Sequence, residues 1–490
     1  MCAQSDPAGI GRLGQCLPVL GLVLLWWLIL APIAAWDVRT GSARATFDHN
    51  LFHVPTIRAL AETWPIAKLT APEHYVAMTP GYHWVLGGLV RLTGIGEAGL
   101  RLVSLSLSAL VFMVLGALLA ARVGGWLAAG LIAPLLASMY VVNSGAWVLA
   151  DNAGWAWVGF LSMAALYYKP GWRWSLLMGL GLFFAVWTRQ NLLWLALPLW
   201  AAAWMSRPTE SANPMRHVSL RLRGLAPMAL ATAPAIGVLL YVYSLWGGLV
   251  PYEFQGQYKG ANASNIALQF VMLAGLVPFF LPALIGLGET DWKLRLRKCL
   301  TGSRAWMALI ALLVMVVSVL TPTTHAPTQG RAGQVWDIAD RLSPIGTFGH
   351  CNPLIVLAAG LGGALFVFVL ACVDPRRRWI LASIFVGFGV AQGASSEVWQ
   401  RYHEPFALLF LALATVVARA GRSGVPVLRP KGQRAPLLAL ALMLAMLTAG
   451  ALWQREIRPW QRGASPLSDD PRLPAPPPRT SLLPGITDLV

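Results

Sequence analysis

The feature that most constrains this chain is a recurrence of apolar runs, from Val19 almost to Ala451, each close to the ~20 residues an α-helix needs to cross a bilayer. A single buried core cannot absorb so many, so the bilayer is the solvent for most of the chain. Composition agrees: of 490 residues 57% are hydrophobic and 12% charged, with mean hydropathy +0.61, whereas soluble domains carry about 25% charged residues. The runs lack the period-two alternation of a barrel strand, and inside hydrocarbon each segment must satisfy its own backbone hydrogen bonds. The expected fold class is therefore all-α, a polytopic membrane protein.

About thirteen spans are expected, over 17–36, 100–121, 124–142, 146–167, 174–188, 190–206, 225–247, 264–287, 304–321, 353–373, 378–395, 404–420 and 435–453. The first is too long and too tryptophan-rich for a signal-peptide core, so it reads as a retained span. A transmembrane domain then covers 1–453, with a large first extracytoplasmic loop over 37–99. The tail, 454–490, is rich in proline and expected to be extended or disordered outside the membrane.

A net charge of +17 would point to nucleic acid in a soluble protein, but here the topology accounts for it and no nucleic-acid partner is expected. With the N-terminus in the cytoplasm, Lys293, Arg295, Arg297 and Lys298, then Arg376, Arg377 and Arg378, fall in inner loops, as do basic clusters within 169–173, 207–223 and 422–434. Most carboxylates, among them Asp48, Asp151, Glu253, Glu397 and Glu404, fall in the alternate loops. This is the positive-inside pattern. No cysteine pair or histidine arrangement has metal-ligand spacing, so neither a metal nor a cofactor is expected.

The first external loop is the longest polar stretch and reads as two short elements. Over 48–63, Leu51, Val54, Ile57 and Leu60 recur at helical spacing among polar residues, as in an interfacial helix. A second, apolar and aromatic element covers 80–92, and Lys68, Glu73, His74 and Tyr75 lie between the two. Asp48 opens the first element, where its carboxylate either accepts a proton from an attacking hydroxyl or caps the helix. Asp151 opens a span rich in Trp, Ala and Gly, with the same two readings. Arg189 and Gln190 interrupt an apolar run, and the guanidinium there needs an anion, either a phosphate or a structural partner such as Asp151 or Asp48. Arg401, His403 and Glu404 form a charged outer loop before a later span, matched by Lys259 in another.

The coarse pattern, an external loop with an acidic residue, a second acidic residue opening the fourth span and basic residues on later outer loops, resembles the GT-C superfamily of membrane glycosyltransferases that use polyprenyl-phosphate sugars. Two runs, Asn50-Leu51-Phe52-His53-Val54-Pro55 and Thr188-Arg189-Gln190-Asn191, are similar to the dolichyl-phosphate-glucose α-1,2-glucosyltransferase family. That family's first run reads Asp-Glu-Ile-Phe-His-x-Pro; anchored on Phe52, His53 and Pro55, it places His49 and Asn50 where the family has Asp-Glu, with Asp48 one residue earlier. Its second run, Arg-Gln-Thr-Asn, has a threonine that is missing between Gln190 and Asn191. The resemblance implies an inverting transfer at the extracytoplasmic face from a polyprenyl-phosphate sugar to a lipid-linked or other envelope glycan, and the high Ala, Gly, Arg and Trp usage points to a bacterial inner membrane. Asp48, His49 and Asp151 would carry the catalysis, and Asn50, His53, Lys68, Glu73, His74, Arg189, Gln190, Asn191, Lys259, Arg401 and His403 would bind substrate. Two other classes fit the same composition. A lipid or solute transporter predicts ionisable residues deep in several spans; an O-antigen-type polymerase or ligase predicts a large late loop, for which 321–352 qualifies.

Overall fold

The computed structural model describes residues 8–35, 48–67, 69–70, 74–206, 218–258, 260–326, 329–343, 350–420 and 431–454. The helices are α1 (Ala8–Ala35), α2 (Val54–Thr63), α3 (Gly81–Thr93), α4 (Glu97–Val123), α5 (Gly125–Ala137), α6 (Met139–Ala146), α7 (Asp151–Leu166), α8 (Trp172–Thr188), α9 (Ala196–Trp204) and α10 (Val218–Trp246). They continue as α11 (Tyr252–Tyr258), α12 (Ser264–Ile285), α13 (Trp292–Leu320), α14 (Gln334–Leu342), α15 (Pro353–Ala371), α16 (Pro375–Gly393), α17 (Gln400–Ala420) and α18 (Lys431–Leu452). A π-turn, His49–His53, leads into α2, and a 3-10 turn, Gln190–Leu195, leads into α9. Among the described residues the only sheet is a two-residue parallel pairing of β1 (Arg331–Ala332) with β2 (Val398–Trp399).

The all-helical, polytopic expectation holds. Among the described residues, eight helices are long and apolar enough to cross a membrane: the greater part of α1 and of α18, with α4, α10, α12, α13, α15 and α17. The pair α5 and α6, bent by 73°, makes a ninth if counted as one span. α7, α8 and α9 stand where spans are expected but have 16, 17 and 9 residues, short of the ~20 of a full crossing, and α16 opens on three arginines.

Without a hydrophobic drive between helices in lipid, close approach depends on small side chains. A Cβ on Gly362 of α15 would collide with the Phe270 carbonyl oxygen of α12, and one on Gly179 of α8 with that of Ala231 in α10. α17 runs through the middle of the bundle, with 94% of its apolar window buried. It carries Arg401 at its first turn and Arg419 at its last, about 27 Å apart along the axis at 1.5 Å per residue.

At the Arg419 end, Arg419 and Arg295 both bind the buried Glu289. Nearby arginines cap helix C-termini, where carbonyls lack intrahelical donors and the dipole favours cations. Arg377 Nε donates to Leu166 O at 3.4 Å, Arg376 to Tyr168 O at 3.3 Å and Arg378 Nε to Leu370 O at 2.9 Å. The arginine-rich loops thus gather at one end of the bundle, and the first-loop helices, with Asp48, gather at the other.

Candidate active site

Asp151 is the first residue of α7 and is almost wholly buried. The amide that would call for a cap there, that of Asn152, is satisfied by Ser144 Oγ at 2.9 Å, which leaves the Asp151 carboxylate for other partners. It takes three guanidinium bonds: Arg189 Nη1 on Oδ1, and Arg401 Nε at 2.9 Å and Nη2 at 2.6 Å on Oδ2. Arg401 reaches further, donating from Nη1 to Asp48 Oδ2 at 2.8 Å. Two carboxylates and two guanidiniums therefore form one continuous cluster in which Arg401 is the bridge. Both guanidiniums lie over the Tyr402 ring, at 5.2 Å for Arg189 and 5.7 Å for Arg401.

Local sequence explains each arrival. α8 stops at Thr188, and Arg189 takes an extended conformation before the 3-10 turn, so its side chain leaves the bundle axis where the apolar run breaks. Gly154, one turn into α7, lets the Arg189 stem cross: a Cβ there would lie 3.3 Å from Arg189 Cδ. The chain enters α2 through a π-turn, closed by Val54 N–H on His49 O, with Asp48 at its start and Pro55 just beyond it. No capping bond from the Asp48 side chain is found among the described residues. Its link to Arg401 is the ion pair above.

The turn joining α6 to Asp151 is under strain. Val148 has φ 49°, in the left-handed region, and is fully buried; for a β-branched residue this costs about 1–3 kcal/mol. It persists because its neighbours are clamped. Arg101 Nε donates to Ala146 O at 3.0 Å and its Nη2 to Ile33 O at 2.9 Å, while His49 Nδ1 bonds Trp147 O at 3.0 Å and its Nε2 meets Glu97 Oε1 at 3.2 Å. His49 thereby ties the Asp48 turn to the Asp151 turn. Val148 itself packs with Ile57, Leu86 and Leu100, so α2 and α3 rest directly on this turn as a roof.

Within the roof, His53 and His83 are buried and stacked, their rings joined Nδ1 to Nε2 at 2.8 Å. Burial, then the nearby Arg401 charge, pulls His53 down to about 3; burial, then His53, holds His83 well below the ordinary imidazole range. Burial also brings His74 down to about 4. In α11, burial pushes the Tyr258 phenol well up, and the charges of Arg401, Asp48 and Arg189 act on it.

The candidates named from the sequence divide four ways. Asp48, Asp151, Arg189 and Arg401 meet in the cluster, with His49 and His53 immediately around it. Gln190, His74 and His403 are fastened elsewhere: Gln190 bonds Ala77 O, Leu249 O and Thr79 N; His74 bonds Met78 O and stacks on Trp246; His403 bonds Trp399 O and Asn265 O. Asn50 and Asn191 are exposed. Lys68, Glu73 and Lys259 lie outside the described residues. The sequence reading did not single out Tyr402, Arg101 or Val148. Adjacency to Arg401 signals Tyr402, but nothing local marks the other two, because a buried arginine on carbonyls and a positive φ at valine are tertiary outcomes.

Beside Arg189 a narrow cleft of about 20 Å³, room for about one water molecule, runs between α7, the 3-10 turn, α16 and α17. Trp155, Trp194, Phe388 and Tyr402 supply its aromatic walls, and Asn191, Gln392 and Arg189 its polar groups. The Trp155 indole N–H, buried there, has no hydrogen-bond partner among the described residues. No protein-family model, curated protein or solved structure matches the chain.

Proposed function

We propose that this protein is a membrane glycosyltransferase that moves a sugar, with inversion, from a polyprenyl-phosphate carrier to a glycan acceptor at the extracytoplasmic face. The observation that carries this reading is the cluster of Asp48, Arg401, Asp151 and Arg189 at one end of the bundle, beneath the α2–α3 roof. It combines what such a transfer needs: a carboxylate to take the acceptor proton and guanidiniums to receive the departing phosphate. Asp48 is the base and Asp151 the anchor. Asp48 is 18% exposed and meets Arg401 through one oxygen, whereas Asp151 is 4% exposed with both oxygens committed to guanidiniums. The aromatic cleft at Arg189 borders the same charges, which supports this reading. With the arginine-rich end in the cytoplasm and α7, α8, the stretch 190–204 and α16 counted as crossings, the chain crosses the bilayer thirteen times.

Among the described residues the buried ion pairs fall in two groups, one at each end of α17. That spacing favours chemistry at one face over passage through the midplane. One observation favours the polymerase or ligase alternative: the late loop reaches the site, where β1 pairs with β2 immediately before Arg401, and Val335 N–H donates to Gln400 Oε1 at 3.1 Å.

The test is sugar transfer from a radiolabelled polyprenyl-phosphate hexose in membranes containing wild type, Asp48→Asn or Asp151→Asn. Wild-type transfer with Asp48→Asn down at least a hundredfold, the scale of a lost general base, is the expected outcome. Full activity of Asp48→Asn with a dead Asp151→Asn reverses the two roles. Substrate-dependent uptake into vesicles with no transfer from any lipid-linked donor points to a transporter instead.

A further inference from the structure

The ion pair between Asp48 and Arg401 raises a difficulty that also supplies its own resolution. The cluster sums to zero charge, two carboxylates against two guanidiniums. Arg401 spends Nε and Nη2 on Asp151 and Nη1 on Asp48. A leaving phosphate arriving at this neutral, largely buried group finds no uncovered positive charge, and adding an anion at low dielectric is costly without one. Neutralising one carboxylate of the cluster removes that obstacle. Asp48 is the one placed to be neutralised, because it is the more exposed of the two and holds Arg401 by a single nitrogen.

We infer that Arg401 is an exchangeable cation: when Asp48 takes the acceptor's proton it releases Arg401 Nη1, which passes to the phosphate of the departing lipid carrier. This rests on the transfer reading above and balances as follows. The acceptor O–H bond breaks and its proton goes to the Asp48 carboxylate. The acceptor oxygen bonds the anomeric carbon, and the bond from that carbon to the phosphate oxygen breaks, its electron pair leaving with the phosphate. Before the step Asp48 carries the charge that faces Arg401 Nη1 and the donor's phosphodiester carries one negative charge; after it Asp48 is neutral and the phosphate monoester carries a second. Asp151 holds Arg401 by two nitrogens throughout and also holds Arg189, so the guanidinium turns between partners without leaving the site. Base catalysis and leaving-group stabilisation become one event, and the lipid phosphate product binds tightly only while Asp48 is neutral.

Asn at position 48 is a neutral isostere of the protonated carboxylic acid, so it isolates the exchange from the chemistry. Binding of farnesyl monophosphate to the purified, detergent-solubilised full chain is measured by calorimetry for wild type, Asp48→Asn and Asp48→Asn/Arg401→Gln, with inorganic phosphate as a second ligand. The expected result is Asp48→Asn binding the prenyl phosphate about tenfold more tightly than wild type, although it transfers no sugar. That gain disappears when Arg401 is also replaced. Inorganic phosphate gaining equally would assign the site to free phosphate and overturn the lipid part of the inference. Asp48→Asn binding no more tightly than wild type, with an unchanged thermal midpoint showing it folded, would overturn the exchange. The binding comparison decides the exchange whether or not wild type transfers sugar, so failure of the reaction and failure of the inference are separate results.

Discussion

Replacing Asp151 by Asn should be among the most damaging single changes in the chain, and the damage should shrink when Arg189 is replaced as well. In wild type the cluster's charges cancel. Asp151→Asn leaves an excess positive charge on two guanidiniums of which one, Arg189, is 11% exposed and loses its carboxylate; stranding a buried charge costs about 3–5 kcal/mol. Arg189→Met leaves an excess negative charge, tempered because Asp151 keeps both bonds from Arg401, so the loss is nearer the ~1.5–3 kcal/mol of a charged hydrogen bond. The double variant returns the cluster to neutrality, one guanidinium against Asp48, and should be less damaged than Asp151→Asn alone. The coupling energy should be on the order of 2 kcal/mol, within the range for residues in contact. The assay is reversible unfolding by sodium dodecyl sulfate in mixed micelles, followed by tryptophan fluorescence. Additive losses, with the double variant the least stable of the three, would refute the charge accounting.

Three further outcomes are expected. Gly362→Ala should destabilise by about 1–3 kcal/mol in the same unfolding assay, because the new methyl meets the Phe270 backbone oxygen of α12, which cannot move alone. Glu404 accepts from Ser138 Oγ at 2.7 Å and Gln400 Nε2 at 2.8 Å; Glu404→Leu strands both donors and should lower stability by about 1–3 kcal/mol, with Glu404→Gln retaining most of it. The roof should loosen in acid. His53, His74 and His83 titrate in the folded chain below the ordinary 6.5, so above that pH neither state is protonated and nothing changes. Below it the unfolded chain binds protons that the fold refuses, and stability falls, by about 1.4 kcal/mol per pH unit per histidine, down to about 4 for His74 and about 3 for His53. Amide exchange across 54–93 at pH 7.5 and pH 5 checks this; intrinsic-rate-corrected exchange that is no faster at pH 5 would refute it.

The fold class was legible in the sequence because length and hydropathy are local properties and the bilayer rewards them directly. The roof was legible for a similar reason: Val54, Ile57 and Leu60 are buried at the helical spacing that marked them, although Leu51, inside the π-turn, is 41% exposed. The break at Arg189 was visible as a charge in an apolar run. Its partner was left open between a phosphate and a carboxylate, because the choice depends on how α7 and α17 pack, which no spacing encodes. Reading Asp48 and Asp151 as helix caps was equally reasonable from position alone. What decides against it is Ser144, seven residues before Asp151, whose hydroxyl supplies the cap for α7 through a turn that the sequence does not announce.

Clamping that turn has a cost which bears on what the cluster is for. Buried ion pairs are often less stabilising than well-packed apolar side chains of similar size. Instead the chain holds Val148 at φ 49°, places Arg101 on backbone carbonyls and breaks a helix at Arg189 to bring four charges together. None of these is needed to close a helical bundle, and strain of this kind concentrates where a geometry must be held for use. Among the tightest elements, Arg101 and His49 bond the backbone carbonyls of Ala146 and Trp147, just before Val148, and so fix the separation between the Asp48 turn and the Asp151 turn. Val148→Gly relieves about 1–3 kcal/mol of strain but empties a packed site against Ile57, Leu86 and Leu100, a loss of similar size; if the strain serves that separation, stability should change little while sugar transfer slows. A variant that lost stability and activity in step would make the turn merely structural.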